Sequence, residues 1–234
     1  MEVFWLLILS HFIADFPLQP GWLVRNKTKL WGLVLHVSIH LAVMLILIGE
    51  SRWVLAWPYL AAIAVTHFFI DAGKNLVWRW RPQWVAGPYL VDQFLHLLTI
   101  ALVATWITRS LPASQLPAGS PWVVYAIGFL LATYVWYITE FVIFSYNESY
   151  HNEVVRTIWS RMLTRAIFLS VFIIFLSWVT PRLDISYAGM LFLPASVSLF
   201  LPYSADCYWK RALITDLAVC LACSFLIVLA AGSL

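Results

Sequence analysis

Apolar residues fill long runs of the chain, and polar residues gather in the short segments between those runs. A helix of about 20 apolar residues matches the thickness of a lipid bilayer. Eight such runs can be read between the interruptions, and they predict eight membrane-spanning helices. These are 3–22, 30–49, 53–73, 86–108, 121–146, 165–180, 184–202 and 211–232. The pattern therefore predicts an all-α, polytopic helical membrane bundle.

The first of these runs is interrupted before its end. Pro17, Pro20 and Gly21 should break the helix and leave about 14 helical residues, near 21 Å at 1.5 Å per residue. That is short of the roughly 30 Å hydrocarbon core. We therefore expect a first helix that is short and broken, with backbone that protein covers or that lines a wet cavity.

Composition narrows the classes of protein. Hydrophobic residues make up 63% of the chain and charged residues 11%, whereas soluble domains average about 25% charged. This excludes a cytosolic enzyme, a nucleic-acid binder and a secreted disulfide scaffold. Cys207, Cys220 and Cys223 have no partner motif nearby and are interpreted as small core residues.

The basic residues indicate the topology. Eleven of the 14 Lys and Arg residues fall in the odd-numbered loops between the eight predicted spans. The positive-inside rule then places those loops in the cytoplasm and both termini outside. Loop five, near 147–165, carries apolar and basic residues at helical spacing. Either a short cytoplasmic interfacial helix or a solvated connector fits this segment.

Histidine and aspartate form a constellation in the first four spans, which hold five of the six histidines. Each of these spans carries two ligand-capable residues four positions apart, which share one helix face. The pairs are His11 and Asp15, His36 and His40, His67 and Asp71, and Asp92 and His96. The spans alternate in direction, so the pairs form two layers. His11, His40, His67 and His96 lie deeper, whereas Asp15, His36, Asp71 and Asp92 lie nearer the cytoplasm.

A constant offset of 56 residues relates these pairs. It superposes 11–40 on 67–96 without a gap. His11 then matches His67, His40 matches His96 and Asp15 matches Asp71, among other residues. This predicts a parallel two-helix repeat in the first half, with a site at the repeat interface. We accordingly divide the chain into a four-helix module at 1–109 and four further membrane helices at 110–234.

Imidazole and carboxylate are the ligands of zinc, iron and manganese. All eight residues are candidate ligands of such a divalent metal, and Asp15, Asp71 and Asp92 are also candidate catalytic bases. Hydrogen-bonded pairs that join helices are the alternative for any single pair. Four pairs at matched depth favour a metal centre, because polar groups inside a membrane normally face the interior and bind something. A haem in this aromatic-rich bundle is ranked below the metal centre, since no haem-attachment motif is present.

The opening stretch Ser10–Gln19, read SHFIADFPLQ, resembles a bacterial membrane family catalogued as domain of unknown function 3307. Lys27 and Lys29, the His36/His40 pair, His67–Lys74 and Asp92–His96 also resemble it, over about residues 5–105. The resemblance carries no established activity, substrate or cofactor. It implies the bacterial inner membrane as the location.

The leading hypothesis is a metal-dependent membrane enzyme, a hydrolase or oxidase, that acts on a lipid or lipid-linked substrate entering at the broken first helix. A structural or cofactor-holding subunit of a larger membrane complex is the second. A transporter of metal ions or protons ranks lowest, because the outer half of the first four spans is almost entirely apolar. In the second half, Glu140 and Asp216 are either supporting acids or helix-end residues.

Overall fold

The computed structural model describes residues 2–49, 52–117, 120–180, 183–189 and 208–231. These residues are helical or irregular and contain no strand, so the all-α prediction is confirmed. The chain divides into two compact units, Met1–Ser120 and Pro121–Leu234. Six of the described helices are long and apolar enough to cross a membrane.

The described residues of the first unit form five α-helices. They are α1 (Glu2–Asp15), α2 (Gly21–Asn26), α3 (Leu30–Ile48), α4 (Trp53–Trp80) and α5 (Ala86–Ser110). The first helix has 14 residues and ends just before Pro17, which confirms that it is short and broken. It is too short to be counted among the six candidate spans.

Four of these helices form a closed ring. α1 packs against α3, α3 against α4, α4 against α5, and α5 against α1. The 56-residue offset relates α1 to α4 and α3 to α5, so repeat-related helices lie diagonally across the ring. Each helix therefore turns its pair of polar residues toward the centre of the bundle.

The two copies of the repeat differ where the first one breaks. Pro17 and Pro20 correspond by the offset to Gly73 and Leu76, which do not interrupt hydrogen bonding along a helix. α4 consequently continues to Trp80, seven residues beyond the predicted end of that span. Lys74 is therefore inside a helix, where loop three was predicted.

The broken first copy folds back against α3. A Cβ on Gly32 would lie 2.1 Å from the carbonyl oxygen of Asn26, so only glycine permits this approach. Asn75 of α4 donates to the Lys27 carbonyl at 2.9 Å, and Arg79 donates to that of Thr28 at 2.9 Å. These contacts hold the α2–α3 connection against α4.

The second unit has four longer helices among its described residues. They are α6 (Pro121–Ile143), α7 (Glu148–Arg156), α8 (Ile158–Ser177) and α9 (Trp209–Ala231). α6 contains a π-helical turn at Leu131–Val135. α8 begins seven residues before the predicted sixth span, and most of the predicted span 184–202 lies outside the described residues.

Candidate metal centre

The four histidines predicted for the deeper layer lie in mutual contact. His67 stacks on His96 with ring centroids 3.9 Å apart, and His40 lies 3.9 Å from His67. The ring of His11 lies 5.1–5.7 Å from the other three. All four side chains are buried. One residue from each helix of the ring therefore contributes an imidazole to a single layer.

Four ligand atoms converge beside this layer. One atom each from Asp15, His36, His40 and His67 lies within 4.8 Å of all the others. Asp15 Oδ1 is 3.1 Å from His36 Nε2 and 3.4 Å from His40 Nε2. His36 Nε2 is 3.1 Å from His67 Nε2. Ligands of a tetrahedral zinc ion, at about 2.0–2.1 Å from the metal, lie about 3.3 Å from one another. The observed separations fit such an ion.

A second group shares one residue with the first. Ligand atoms of His67, Asp71 and His96 also lie within 4.8 Å of one another. Asp71 Oδ2 is 3.3 Å from His36 Nε2 and 3.4 Å from His67 Nε2. These two groups include six of the eight predicted ligands. His11 and Asp92 lie beside them, in contact with Asp15 and His96 respectively.

Two lysines enter the cluster, and the sequence interpretation placed neither of them in the site. Lys27 Nζ is 3.0 Å from Asp71 Oδ2 and 3.0 Å from His36 Nε2. Lys74 Nζ joins Asp71 Oδ1 at 2.6 Å to Asp92 Oδ2 at 2.7 Å. The offset gives no warning of them, because the positions 56 residues away from Lys27 and Lys74 are Gln83 and Leu18. The spacing of three between Asp71 and Lys74 was the available signal, since it places both on one helix face.

Two glutamines orient the carboxylate of Asp15. Gln93 donates to Asp15 Oδ2 at 3.0 Å, and Gln19 donates to the Asp15 carbonyl at 2.7 Å. Gln19 Oε1 in turn accepts from Lys27 at 3.1 Å. The chain that folds back after α1 therefore supports both a carboxylate and an ammonium group of the cluster.

Part of the cluster lacks hydrogen-bond partners. Among the described residues, Nε2 of His11, His40 and His96 are buried and have no hydrogen bond. A cavity of about 10 Å³, large enough for one water molecule, lies against these rings and His67. Buried polar atoms are normally satisfied. Nε2 of His40 faces Asp15 and Nε2 of His96 faces Asp92, each at 3.4 Å, so imidazole and carboxylate ligand atoms lie side by side and the residues fit a metal ion.

The second unit contains a separate buried charge cluster. Arg161 forms two hydrogen bonds with Asp216, at 2.6 and 3.0 Å, and a third with Glu140 at 3.1 Å. Arg165 lies 3.7 Å from Asp216. Asp216 is thus fully buried in an ion pair, and its interpretation as a helix-end residue is wrong. Arg161 and Arg165 lie on α8, inside a candidate span, whereas the sequence interpretation assigned them to loop five.

The fold and the site together define a multi-pass helical membrane protein with a buried cluster of histidine, aspartate and lysine that could hold a metal ion. The model of one family, described as "Protein of unknown function (DUF3307)", matches residues 3–125. The chain belongs to that family, and the predicted resemblance is confirmed. No curated protein and no solved structure matches it.

The match covers the whole four-helix ring. It begins one residue after the start of α1 and ends within α6. All eight candidate ligands and both lysines of the cluster lie inside it. The charge cluster of the second unit, formed by residues from Glu140 onward, lies outside the matched range.

Proposed function

We propose that this protein is a membrane-embedded metalloenzyme that acts on a lipid or lipid-linked substrate. The observation that carries the proposal is the convergence of Asp15, His36, His40 and His67, whose ligand atoms lie within 4.8 Å of one another. These four residues would hold a divalent ion. Zinc, iron and manganese all accept this mixture of imidazole and carboxylate.

The charges of the cluster also favour a bound cation. The carboxylates of Asp15, Asp71 and Asp92 face the ammonium groups of Lys27 and Lys74, which leaves one formal negative charge with neutral imidazoles. An uncompensated charge buried away from water is costly. A divalent cation would change the formal charge of the cluster from −1 to +1, which suits a site for an anionic substrate.

The chain's own groups divide the remaining work. A bound divalent ion would supply a Lewis acid. Lys27 and Lys74 hold Asp71 in place, and Gln93 fixes the free oxygen of Asp15. Asp92 Oδ1 faces His96 Nε2 at 3.4 Å, on the side of the carboxylate away from Lys74. We assign the proton-accepting role to this Asp92–His96 pair.

The setting favours a lipid substrate. The site lies within a ring of helices of which three are candidate spans. A groove of about 630 Å³ on the surface of this unit is almost entirely apolar, and Lys74 and Asp92 of the cluster line it. An apolar groove does not favour a water-soluble substrate, whereas a lipid can enter it from the bilayer.

Metal analysis tests the proposal. We expect the purified protein to retain about one equivalent of a divalent metal, and His40→Ala to lose it because a buried ligand is removed. His151→Ala is the matched control, since His151 is the sixth histidine and lies in the second unit. Size-exclusion chromatography and circular dichroism report whether His40→Ala stays folded, and His40→Gln replaces it if it does not.

Turnover separates an enzyme from a metal-holding subunit. The metal-loaded protein should release water-soluble products from phosphatidylglycerol vesicles, and chelation should stop the release. A folded protein without metal contradicts the metal centre. Retained metal without turnover on any lipid tested contradicts the enzymatic part and favours a subunit role.

A further inference from the structure

An open groove runs along the surface of the first unit between α4 and α5. Its volume is about 630 Å³, within the range of small-molecule binding pockets. Its walls are almost entirely apolar, and Lys74 and Asp92 are the charged residues that line it. Both belong to the buried cluster. The groove therefore runs beside the buried cluster and reaches it at Lys74 and Asp92.

Two glycines make the groove. A Cβ added to Gly73 or Gly87 would meet no heavy atom within 4 Å, so both positions face open space. Glycine is unfavourable inside a helix relative to alanine. α4 nevertheless carries Gly73 in its interior, and Gly87 lies in the first turn of α5, each in the wall of the groove. The missing side chains leave room for an occupant.

The surroundings of the groove identify that occupant as hydrocarbon. Phe69, Trp84 and Val91 line it and are largely exposed, and both helices are candidate membrane spans. Lipid chains are what such a face meets in a bilayer. The groove is long enough along the helices, from Trp84 to Leu95, to follow a chain for several turns.

Charge complementarity indicates the head group. Lys74 is paired with Asp71 and Asp92, but the arginines at the end of α4, Arg79 and Arg81, have no acidic residue in the segment 75–91 around them. Arg81 lies over the ring of Trp84, with its guanidinium carbon 5.9 Å from the centroid. Tryptophan and arginine are common where membrane helices meet the head groups, and arginine matches the geometry of phosphate.

We infer that the groove binds a lipid with an anionic phosphate head group, with its phosphate near Arg81 and Trp84 and its chain running past Lys74 toward Phe69 and Leu95. This rests on the proposed function, because it names the substrate class of that site. Seven residues separate Arg81 from Lys74, about 10 Å along a helix. The linkage between head and chain, rather than the phosphate, then lies nearest the cluster.

Filling the groove tests the inference. The double variant Gly73→Leu/Gly87→Leu places two side chains in its open space, at positions where an added Cβ meets no heavy atom within 4 Å. Gly189→Leu is the matched control, because a Cβ there also meets nothing within 4 Å, but in the second unit. Binding of palmitoyl-oleoyl phosphatidylglycerol and of the zwitterionic phosphatidylcholine is measured by native mass spectrometry of the purified full-length chain.

We expect the filled variant to bind phosphatidylglycerol at least about tenfold more weakly than the wild type and Gly189→Leu. Wild type should prefer phosphatidylglycerol over phosphatidylcholine, and Arg81→Gln should reduce that preference. Unchanged binding by the filled variant overturns the site. Equal binding of the two lipids by the wild type overturns the anionic head group.

Metal content, measured on the same samples, separates this inference from the proposed function. The filled variant should keep its metal, and His40→Ala should keep its lipid. If the wild type holds no metal but its lipid binding still depends on the groove, only the proposed function is contradicted. Retained metal in the wild type with no groove-dependent binding contradicts only the lipid site.

Discussion

Each of the two units buries a cluster of charged side chains, and the two clusters balance their charges differently. In the second unit, Arg161 and Arg165 face Glu140 and Asp216, so positive and negative charges are equal in number. In the first unit, three carboxylates face two ammonium groups, and several imidazole nitrogens have no hydrogen bond among the described residues.

The second cluster also leaves two buried atoms without a hydrogen bond among the described residues, Arg165 Nη1 and Glu140 Oε2, so the two clusters differ in charge balance rather than in hydrogen bonding. Arg161 uses its fork geometry to hold Asp216 and Glu140 at once, and Tyr150 of α7 donates its hydroxyl to Glu140. Burial, together with this hydrogen bond, raises the pKa of Tyr150 to about 12. The phenol therefore stays protonated at neutral pH and remains a donor.

The difference teaches how to separate a structural cluster from a binding one. A charge-balanced network joins helices and has no need of a further ion. A cluster with one surplus negative charge lacks a counter-ion until a cation binds it. The cluster of the second unit should be sensitive to the loss of any of its partners. The cluster of the first unit should be sensitive to the loss of its bound ion.

The largest expected effect is on the balanced cluster. Arg161→Met leaves two buried carboxylates facing the single guanidinium of Arg165, so one buried charge is uncompensated, and it should lower the free energy of unfolding by about 3–5 kcal/mol. Thermal unfolding in detergent measures this. The double variant Arg161→Met/Asp216→Leu removes one of those charges and should recover part of the loss. Equal stability of Arg161→Met and wild type contradicts the structural role of the network.

A smaller effect is expected in the first unit, where a substitution should increase zinc affinity rather than lower stability. Lys27→Gln removes an ammonium group 3.0 Å from His36 Nε2 and so increases the surplus negative charge. The protein should then bind Zn²⁺ at least about tenfold more tightly, about 1.4 kcal/mol, in a competition assay with a chelator. Lys29→Gln, in the same connection but exposed, should leave zinc affinity unchanged. Weaker binding by Lys27→Gln contradicts the charge argument.

The smallest effect concerns one hydrogen bond. Tyr150→Phe removes the hydroxyl that Glu140 accepts and should lower the free energy of unfolding by about 1–2 kcal/mol. Because the pKa of the phenol is raised from 10.0 to about 12 in the folded protein, this contribution should be constant from pH 6 to pH 9 and be lost as the pH rises from 10.0 toward about 12. Tyr146→Phe, at an exposed position, is the control. A loss that varies across the neutral range contradicts the assignment.

Much of the first unit could be predicted from local pattern. Proline at positions 17 and 20 determined where α1 ends, and the apolar runs of α3 and α5 gave their bounds to within two residues. The spacing of four within each pair placed its members on one face. Because repeat-related helices lie across the ring, those faces converge, and the eight polar residues form one cluster.

The rest depended on tertiary contacts that no local pattern contains. Lys27 enters the cluster because Gly32 lets the chain fold back against α3. Lys74 belongs to it because α4 continues where the first repeat breaks. Arg161 and Arg165 were assigned to a loop because charges disfavour membrane spans, but acidic partners on α6 and α9 allow them to lie inside α8.

X-ray absorption spectroscopy of the purified, metal-loaded protein tests the metal centre most directly. The geometry of Asp15, His36, His40 and His67 predicts a first shell of nitrogen and oxygen only, at about 2.0–2.1 Å for zinc, with the multiple-scattering signature of imidazole. The His151→Ala variant, purified and loaded with metal in the same way, should give an identical spectrum. A shell containing sulfur, or a spectrum without imidazole, would contradict the assignment of the histidine and aspartate cluster as the metal site.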